Sequence, residues 1–384
     1  MILALLPLLL FKYTGFVFDT LKTIWGGGRV EINLIAPIGV SFYTFQAVGY
    51  LFDVYYKRIS SEKNLLDYML FVCFFPQILS GPISKAKDLL PQIKSIRPFR
   101  YNAAVQGLRF LLWGFFLKVV MADRLALYVD TVLDNYQYNS GVSCFVASLC
   151  YTFQIYGDFA GYSLMAIGTG RLMGFELINN FNKPYLSVSI TEFWRRWHIS
   201  LSRWLKDYVY IPLGGSRCSK KRNYGNIFIT FLVSGIWHGA NWTFIVWGCL
   251  HGLFQILEKA LGCQKYQGNS TLIKCMRILV TFMVVNFAWL VFRMPTIEDA
   301  WNCFIRMFTC GGGLLITERT TILLMGLSVL ITVVKDIIEE LYPKNNLCFN
   351  SNNIFYRWSS YCLLLLYILL FGVFDSSQFI YVSF

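Results

Sequence analysis

The chain has 384 residues, of which 56% are hydrophobic and only 14% are charged. Soluble domains carry about 25% charged residues, so this composition excludes disorder, a coiled coil and an ordinary cytosolic enzyme, and it predicts a surface that largely faces lipid. The net charge is +13. In a membrane protein such an excess orients the spans more often than it recruits nucleic acid, so we expect no nucleic-acid partner. The 11 cysteines form no CxxC pair, which favours buried thiols over disulfides.

Stretches without charged residues locate candidate membrane spans, because one crossing needs about 20 mostly apolar residues. In chain order these stretches are 32–52, 68–84, 135–157, 223–257, 278–292, 320–334 and 358–374. Residues 101–122 are a weaker candidate, and residues 1–11 are a span or the remnant of one. The stretch 223–257 suits one long span or a bent pair. The pattern predicts an all-α polytopic transmembrane bundle with about eight to ten crossings, forming a single domain over residues 1–384.

Two basic clusters lie next to uncharged stretches. One follows residue 84 and the other precedes residue 223, and their members are Lys85, Lys87, Lys94, Arg97 and Arg100, then Arg217, Lys220, Lys221 and Arg222. Positive charge accumulates in cytoplasmic loops, so we predict that both clusters face the cytoplasm. The alternative is that they also dock the phosphates of a donor such as coenzyme A.

Residues 189–208 form a charged segment with a helical pattern. Aromatic and apolar residues recur on one face at spacings of three and four, namely Phe193, Trp197, Leu201, Trp204 and Tyr208. Ser189 and Glu192 make a capping-box pattern at the start, and Pro212 follows the end. The pattern predicts one amphipathic helix over about 189–208. Such a helix lies in the headgroup plane or inserts between the spans, and both placements stay open.

The three histidines, His198, His238 and His251, all fall within 54 positions. His238 lies deep in an uncharged stretch, between Gly235 and Gly239, and a titratable group at membrane depth is a functional candidate. A neutral imidazole can take a proton from a hydroxyl and return it to a leaving group, which suits acyl transfer. A packing role is the alternative. His251 lies about 220° around an ideal helix from His238, so we predict a structural or supporting role for it.

Asp158 is the other charge at membrane depth. A carboxylate at the centre of a spanning helix costs about 2–3 kcal/mol, so we predict that Asp158 pairs with an arginine of the amphipathic helix. A catalytic role is the alternative. The sequence has no HExxH motif, no Cys/His tetrad and no carboxylate within 223–257, so we predict no metal site.

Several long motifs together resemble one known family. They are SITEFWRRWHISLSRWLKDYVYIPLGG at 189–215, SGIWHGANWTFIVWGCLHG at 234–252, QIYGDFAGYSLMAIG at 154–168, PIGVSFYTFQAVGYLFDVY at 37–55, FFPQILSGPISKAKDLLPQ at 74–92 and SSQFIYVSF at 376–384. This set resembles the membrane-bound O-acyltransferase family, and in particular its branch of bacterial polysaccharide O-acetyltransferases, typified by alginate O-acetylation.

The resemblance implies acyl transfer inside a helical bundle with a tunnel. It places His238 at the position of the catalytic histidine and His198 at that of the second site residue. The residues expected to line the tunnel or support the site are Asp158, Arg195, Arg196, Trp197, Trp237 and Asn241. The implied donor is acetyl coenzyme A or another cytoplasmic acyl thioester, with no permanently bound cofactor. The implied acceptor is an exported polysaccharide, reached through a secreted or membrane-anchored partner acyltransferase, at the plasma membrane.

Two features depart from the pattern of that branch. Its members begin with further spans, which this chain is expected to lack, and Leu164 stands where the branch has an acidic residue. Two alternatives stay open: D-alanyl or lipid acyl transfer by the same fold, and a transporter or scaffold that holds a secreted modifying enzyme. Transporters usually contain two related halves with broken helices, whereas the Trp-His-Gly motif occurs once here, which favours the enzyme.

Overall fold

The computed structural model describes residues 2–25, 37, 39–266, 268, 270–316, 318–342, 349 and 351–374. Regular structure in these residues is helical, without strands, which confirms the predicted all-α fold. The α-helices there are α1 Ile2–Leu8, α2 Thr14–Ile24, α3 Val40–Tyr55, α4 Leu65–Val72, α5 Ala86–Lys94, α6 Tyr101–Phe115, α7 Asp123–Leu133, α8 Gly141–Leu172, α9 Ile190–Arg196, α10 Ile199–Leu205, α11 Lys220–His238, α12 Trp242–Ala260, α13 Thr271–Arg293, α14 Ile297–Thr309, α15 Arg319–Leu341 and α16 Ile354–Phe371. Three π-helical turns, Leu9–Tyr13, Phe116–Ala122 and Lys206–Tyr210, continue α1, α6 and α10.

Four helical stretches of the described residues are long and apolar enough to cross a membrane. They are Leu3–Ile24, Thr271–Arg293, Arg319–Leu341 and Ile354–Phe371. The stretch Leu3–Ile24 shows that the apolar start of the chain continues beyond residue 11 and is long enough for one membrane crossing. The other three match uncharged stretches of the sequence. The larger figure of eight to ten crossings stays a prediction.

The predicted span over residues 68–84 is not a continuous helix. Only α4 is helical there, and the chain from Cys73 to Lys85 is irregular. Two prolines and a glycine explain the difference, because proline removes a backbone donor and a Cβ on Gly81 would lie 2.3 Å from the Cα of Gln77. Gln77 and Ser84 are buried and hydrogen-bonded to each other at 2.8 Å. Protein therefore covers this irregular backbone, as a position at membrane depth requires.

The pair formed by α6 and α8 is the most extensive helix contact in the fold. Helix α8 has 32 residues and is about 48 Å long. Glycines let the two backbones approach: a Cβ on Gly161 would lie 2.8 Å from the carbonyl oxygen of Gly114, and one on Gly168 would lie 2.6 Å from that of Gly107. The largest buried apolar cluster runs from this pair through α9, α12 and α13.

The uncharged stretch 223–257 forms a bent pair, α11 and α12, which pack against each other. The turn between them ends at Asn241, whose side chain accepts the Thr243 N–H at 3.1 Å and so caps α12. Gly235 and Gly248 lie where the helices are closest, because a Cβ on either would come within 2.5 Å of a carbonyl oxygen of the other helix.

The single amphipathic helix predicted over 189–208 is wrong in one respect: it is broken at His198 into α9 and α10. The predicted cap is confirmed, since Ser189 Oγ accepts the Glu192 N–H at 3.1 Å. The predicted apolar face is also buried throughout. The apolar face of this segment therefore packs against other helices of the bundle, as expected for an inserted segment. The terminal motif at 376–384 and part of the motif at 37–55 lie outside the described residues.

Candidate active site

His198 is fully buried at the break between α9 and α10. Its φ of 41° and ψ of 55° are left-handed, which costs a side chain on the order of 1–3 kcal/mol. Asn180 holds this conformation: its carbonyl oxygen accepts the Ile199 N–H at 2.9 Å, and its Oδ1 accepts the Ser200 N–H at 3.1 Å. Among the described residues, neither ring nitrogen of His198 has a hydrogen-bond partner. Both nitrogens are therefore available to a group that enters this part of the core.

His238 is the last residue of α11 and is 3% exposed. Three aromatic rings meet its imidazole edge-on: Trp237 and Trp247 with centroids at 4.9 Å, and Phe292 at 5.5 Å. The chain turns away at Gly239, where a Cβ would lie 2.1 Å from the ring of Phe244. Only glycine fits that position without displacing the ring, so the end of α11 is fixed by packing.

The Trp237 ring lies close to the rings of both candidate histidines. Its ring centroid lies 6.2 Å from that of His198 and 4.9 Å from that of His238. The Trp237 ring is itself fixed, because it stacks on Phe45 at 4.9 Å and its Nε1 donates to the Ser41 carbonyl oxygen at 3.3 Å. The fold thus brings together two imidazoles that are 40 positions apart in the chain.

His251 belongs to the same aromatic cluster as His238. The angular separation of 220° assumed one continuous helix, but the turn after α11 places the two histidines on different helices. The rings of His251 and His238 each lie 4.9 Å from the ring of Trp247. Trp194 Nε1 donates to His251 Nδ1 at 3.2 Å, which leaves Nε2 as the protonated nitrogen of the neutral ring. A supporting role for His251 stays a prediction.

The predicted partner of Asp158 is wrong. Asp158 pairs with Lys118, at 2.5 Å, and not with an arginine of the amphipathic segment. Lys118 also bonds Asp123, at 2.7 Å, and all three side chains are at most 6% exposed. The glycines of α8 explain the pairing, because they bring the π-helical turn that contains Lys118 directly against Asp158. The arginines face elsewhere: Arg196 bonds Glu340 of α15, at 2.8 Å.

The remaining predicted site residues have distinct positions. Trp197 is 1% exposed and packs on Trp289 at 5.0 Å, next to His198 in the chain. Arg195 is exposed. Asn241 caps α12 and its Nδ2 donates to the Pro295 carbonyl oxygen at 3.0 Å, so it fixes the turn that follows His238. The described residues contain no group of three His, Cys, Asp or Glu side chains that could hold a metal ion.

A cavity of about 530 Å³ opens between α9, α10, α11 and α12, and neither His198 nor His238 is among its described lining residues. Its described lining includes four cationic side chains and no carboxylate: Arg195, Arg203, Lys206 and Lys259. Ser202 lines it four residues after His198, and Ser234 lines it four residues before His238. The cavity therefore has a cationic lining and contacts α10 and α11 about one helical turn along the chain from each imidazole, and it suits an anionic ligand.

Three residues of the site were missed by the sequence reasoning. Lys12 Nζ donates to the carbonyl oxygens of Trp237 and His238, at 2.7 and 3.0 Å. Asn180 fixes the backbone around His198, and Lys118 neutralises Asp158. The two lysines were visible as charges within apolar stretches, but Asp158 lies 40 positions from Lys118 and His238 lies 226 positions from Lys12. Nothing in its local sequence singles out Asn180.

The fold and site define a membrane-embedded helical bundle with two buried histidines and, about one helical turn along the chain from each, a cationic cavity. The family model described as MBOAT, membrane-bound O-acyltransferase family, matches residues 47–296, so the chain belongs to that family and is a membrane protein.

Named relatives agree with this assignment. A protein of Pseudomonas aeruginosa named "Probable alginate O-acetylase AlgI" is 41% identical over 305 residues, covering 78% of this chain and 58% of the relative. The peptidoglycan O-acetyltransferase of Helicobacter pylori is 39% identical, covering 76% and 60%. The teichoic acid D-alanyltransferase of Streptococcus thermophilus is 30% identical, covering 70% and 71%. The chain thus spans about three fifths of the length of the O-acetylating relatives.

Proposed function

We propose that this protein is an acyltransferase that moves an acetyl group from a cytoplasmic acyl thioester towards hydroxyl groups of an exported cell-surface polysaccharide. One observation carries the proposal: the buried rings of His198 and His238 lie 6.2 and 4.9 Å from the Trp237 ring, and a cationic cavity is lined by residues four positions from each histidine along the chain. Such an arrangement offers a proton acceptor at a water-poor site together with a place for a charged donor.

The cationic cavity is the proposed donor site. Coenzyme A carries several phosphate groups, and charge-assisted hydrogen bonds from Arg and Lys are the strongest that a protein offers to phosphate. Arg203 and Lys206 are exposed at the cavity wall and Lys259 lies opposite on α12. With the phosphates held there, the thioester would extend inward past Ser202 and Ser234 to the two imidazoles.

The chemistry is an exchange of one acyl bond for another. The acceptor hydroxyl oxygen attacks the thioester carbonyl carbon, the carbon–sulfur bond breaks, and a new ester bond forms. His238 takes the hydroxyl proton and returns it to the departing thiolate, so that the histidine ends the cycle unchanged. His198, with both ring nitrogens available, orients the acceptor or stabilises the negative charge on the carbonyl oxygen.

The remaining predicted residues support this site. Trp197, Trp237 and Asn241 fix the two helix ends, while Asp158 links α8 to the turn after α6 and Arg196 links α9 to α15 through ion pairs. The relatives named for alginate and peptidoglycan O-acetylation indicate the acceptor class. Transfer to the polysaccharide is completed by a secreted or membrane-anchored partner acyltransferase.

The proposal is tested by supplying membranes that contain the full chain with acetyl coenzyme A labelled on the acetyl group. Label should enter exported polysaccharide as an ester that mild base releases. Arg203→Gln combined with Lys206→Gln should raise the KM for acetyl coenzyme A about 10–100-fold with little change in kcat, because phosphate contacts are lost. Absence of base-labile label with the unaltered chain would refute the proposal.

A matched pair of substitutions outside the cavity serves as the control. Arg217→Gln combined with Lys220→Gln removes the same charge from two exposed positions, one just before α11 and one at its first residue, and should leave the KM within about twofold. An equal rise in KM would mean that the donor binds along the basic loop and not in the cavity.

The D-alanyltransferase relative motivates a second candidate donor, a D-alanyl thioester. Substitutions of the histidines would not distinguish the two donors, because both reactions would use the same histidines. Parallel assays with labelled acetyl and labelled D-alanyl thioesters distinguish them. Labelling by the D-alanyl donor alone would replace the acetyl donor of the proposal.

A further inference from the structure

Lys12 is a charged residue in the middle of the first candidate span. It is the tenth residue of the stretch Leu3–Ile24. A lysine at the centre of a spanning helix costs about 2.5–3.5 kcal/mol, so its charge needs compensation within the bundle.

The Lys12 ammonium has three N–H donors, and the structure gives each of them an acceptor. They donate to Ser41 Oγ at 3.1 Å, to the Trp237 carbonyl oxygen at 2.7 Å and to the His238 carbonyl oxygen at 3.0 Å. The ammonium also lies 5.9 Å from the centre of the Trp237 ring. Two of the three hydrogen bonds therefore end on the backbone of the candidate active-site motif.

The end of α11 needs such donors. The last four carbonyl groups of an α-helix have no partner within the helix, and together they carry about half a negative charge. Glycine commonly caps a helix in a left-handed conformation, but Gly239 is extended, with φ of −170°. The side chains of Lys12 and Tyr13 supply the cap instead, because Tyr13 Oη donates to the Ile236 carbonyl oxygen.

We infer that Lys12 is a positioning residue for His238: it caps α11 from the first span and so fixes where the imidazole lies. The inference rests on the proposed acyl transfer at His238. It assigns the first span a role in the reaction, since the span supplies the cation that completes the catalytic helix end. Lys12 acts through the backbone and not on the substrate.

Lys12→Met tests the inference because methionine keeps the length of the side chain and removes the charge. We expect kcat to fall about 10–100-fold per folded protein, because a displacement of the His238 imidazole by about 1 Å lowers the rate by about that factor. The KM for acetyl coenzyme A should stay within about threefold. Lys12→Arg keeps a cation with several donors and should recover most of the lost kcat. Lys22→Met, at an exposed position of the same span, should behave as the unaltered chain.

A second measurement on the same variants does not depend on activity. Hydrogen–deuterium exchange of residues 234–242 should become several-fold faster in Lys12→Met and stay unchanged in Lys22→Met, because an uncapped helix end opens more often. Exchange and kcat both at the unaltered values would overturn the inference. If exchange is faster in Lys12→Met but the unaltered chain transfers no acetyl group, the proposed function is refuted and the helix cap is still supported.

Discussion

Lys118 carries the positive charge for two buried carboxylates, Asp123 and Asp158. Lys118→Met would leave both carboxylates without this cation, whereas Asp158→Asn leaves a balanced Lys118–Asp123 pair. Removing one partner of a buried ion pair costs about 3–5 kcal/mol. We therefore expect Lys118→Met to lower the melting temperature in detergent much more than Asp158→Asn does. Equal losses would contradict the shared-cation arrangement.

Asp158 and Lys118 show how far the structural role of a residue can be predicted from its own position in the sequence. A lone carboxylate in an apolar stretch predicts a buried partner, and Asp158 has one. The identity of the partner depends on which helix packs against α8. That packing is set by glycines at positions such as 157 and 161, whose effect on backbone distance has no local sequence signature. The arginines of 189–208 lie at a similar distance along the chain, but they face a cavity or α15.

At the scale of elements, the contact between α6 and α8 depends on small residues. Gly161→Ala places a Cβ 2.8 Å from the Gly114 carbonyl oxygen and 3.0 Å from the Lys118 nitrogen, both backbone atoms that move little. Overpacking of this kind costs about 1–3 kcal/mol, so the melting temperature should fall.

Gly326→Ala is the matched control for that substitution. Gly326 lies in α15, where no heavy atom of another described residue lies within 4 Å of the added Cβ outside the helix's own backbone, and alanine favours a helix over glycine by about 1 kcal/mol. The control should be neutral or stabilising. If both substitutions lower the melting temperature alike, then α6 and α8 do not approach as described.

The segment 189–208 illustrates the limit of periodicity for elements. The spacing of its apolar residues predicted a helix, and those residues are buried. The break at His198 could not be read from the spacing, because α9 and α10 keep a common buried face across it. What holds the break is Asn180, which follows α8 and lies 18 positions upstream. A long-range hydrogen bond thus overrides a locally consistent pattern.

At the scale of the molecule, orientation follows from the basic loops. Ser95 and Ser216 are exposed beside the two basic clusters, so cysteines placed there should react with reagents only from the cytoplasmic side. The measurement uses a variant cleared of its reactive native thiols. Labelling of either position from outside the cell would reverse the orientation and remove the cytoplasmic donor from the account.

Composition and uncharged stretches predicted the class of the molecule but not its detailed layout. They predicted an all-α membrane bundle because a low charge content indicates a surface that faces lipid and uncharged stretches of about 20 residues indicate spanning helices. They misplaced the element over 68–84, where prolines interrupt an apolar stretch that protein covers. The resemblance of the motifs placed His198 and His238 in one site, but their common contact with the Trp237 ring depends on packing and could not be read from composition or spacing.

The central claim is that His238 moves the proton during acyl transfer, and His238→Ala tests it most directly. Loss of a general base lowers rates about 10²–10⁴-fold, so transfer of labelled acetyl per folded protein should fall by that factor with the melting temperature near that of the unaltered chain. His251→Ala, the same change at a fully buried histidine that bonds Trp194, should lower the yield of folded protein while keeping turnover per folded molecule. Unchanged transfer in His238→Ala would contradict the claim and favour the scaffold alternative.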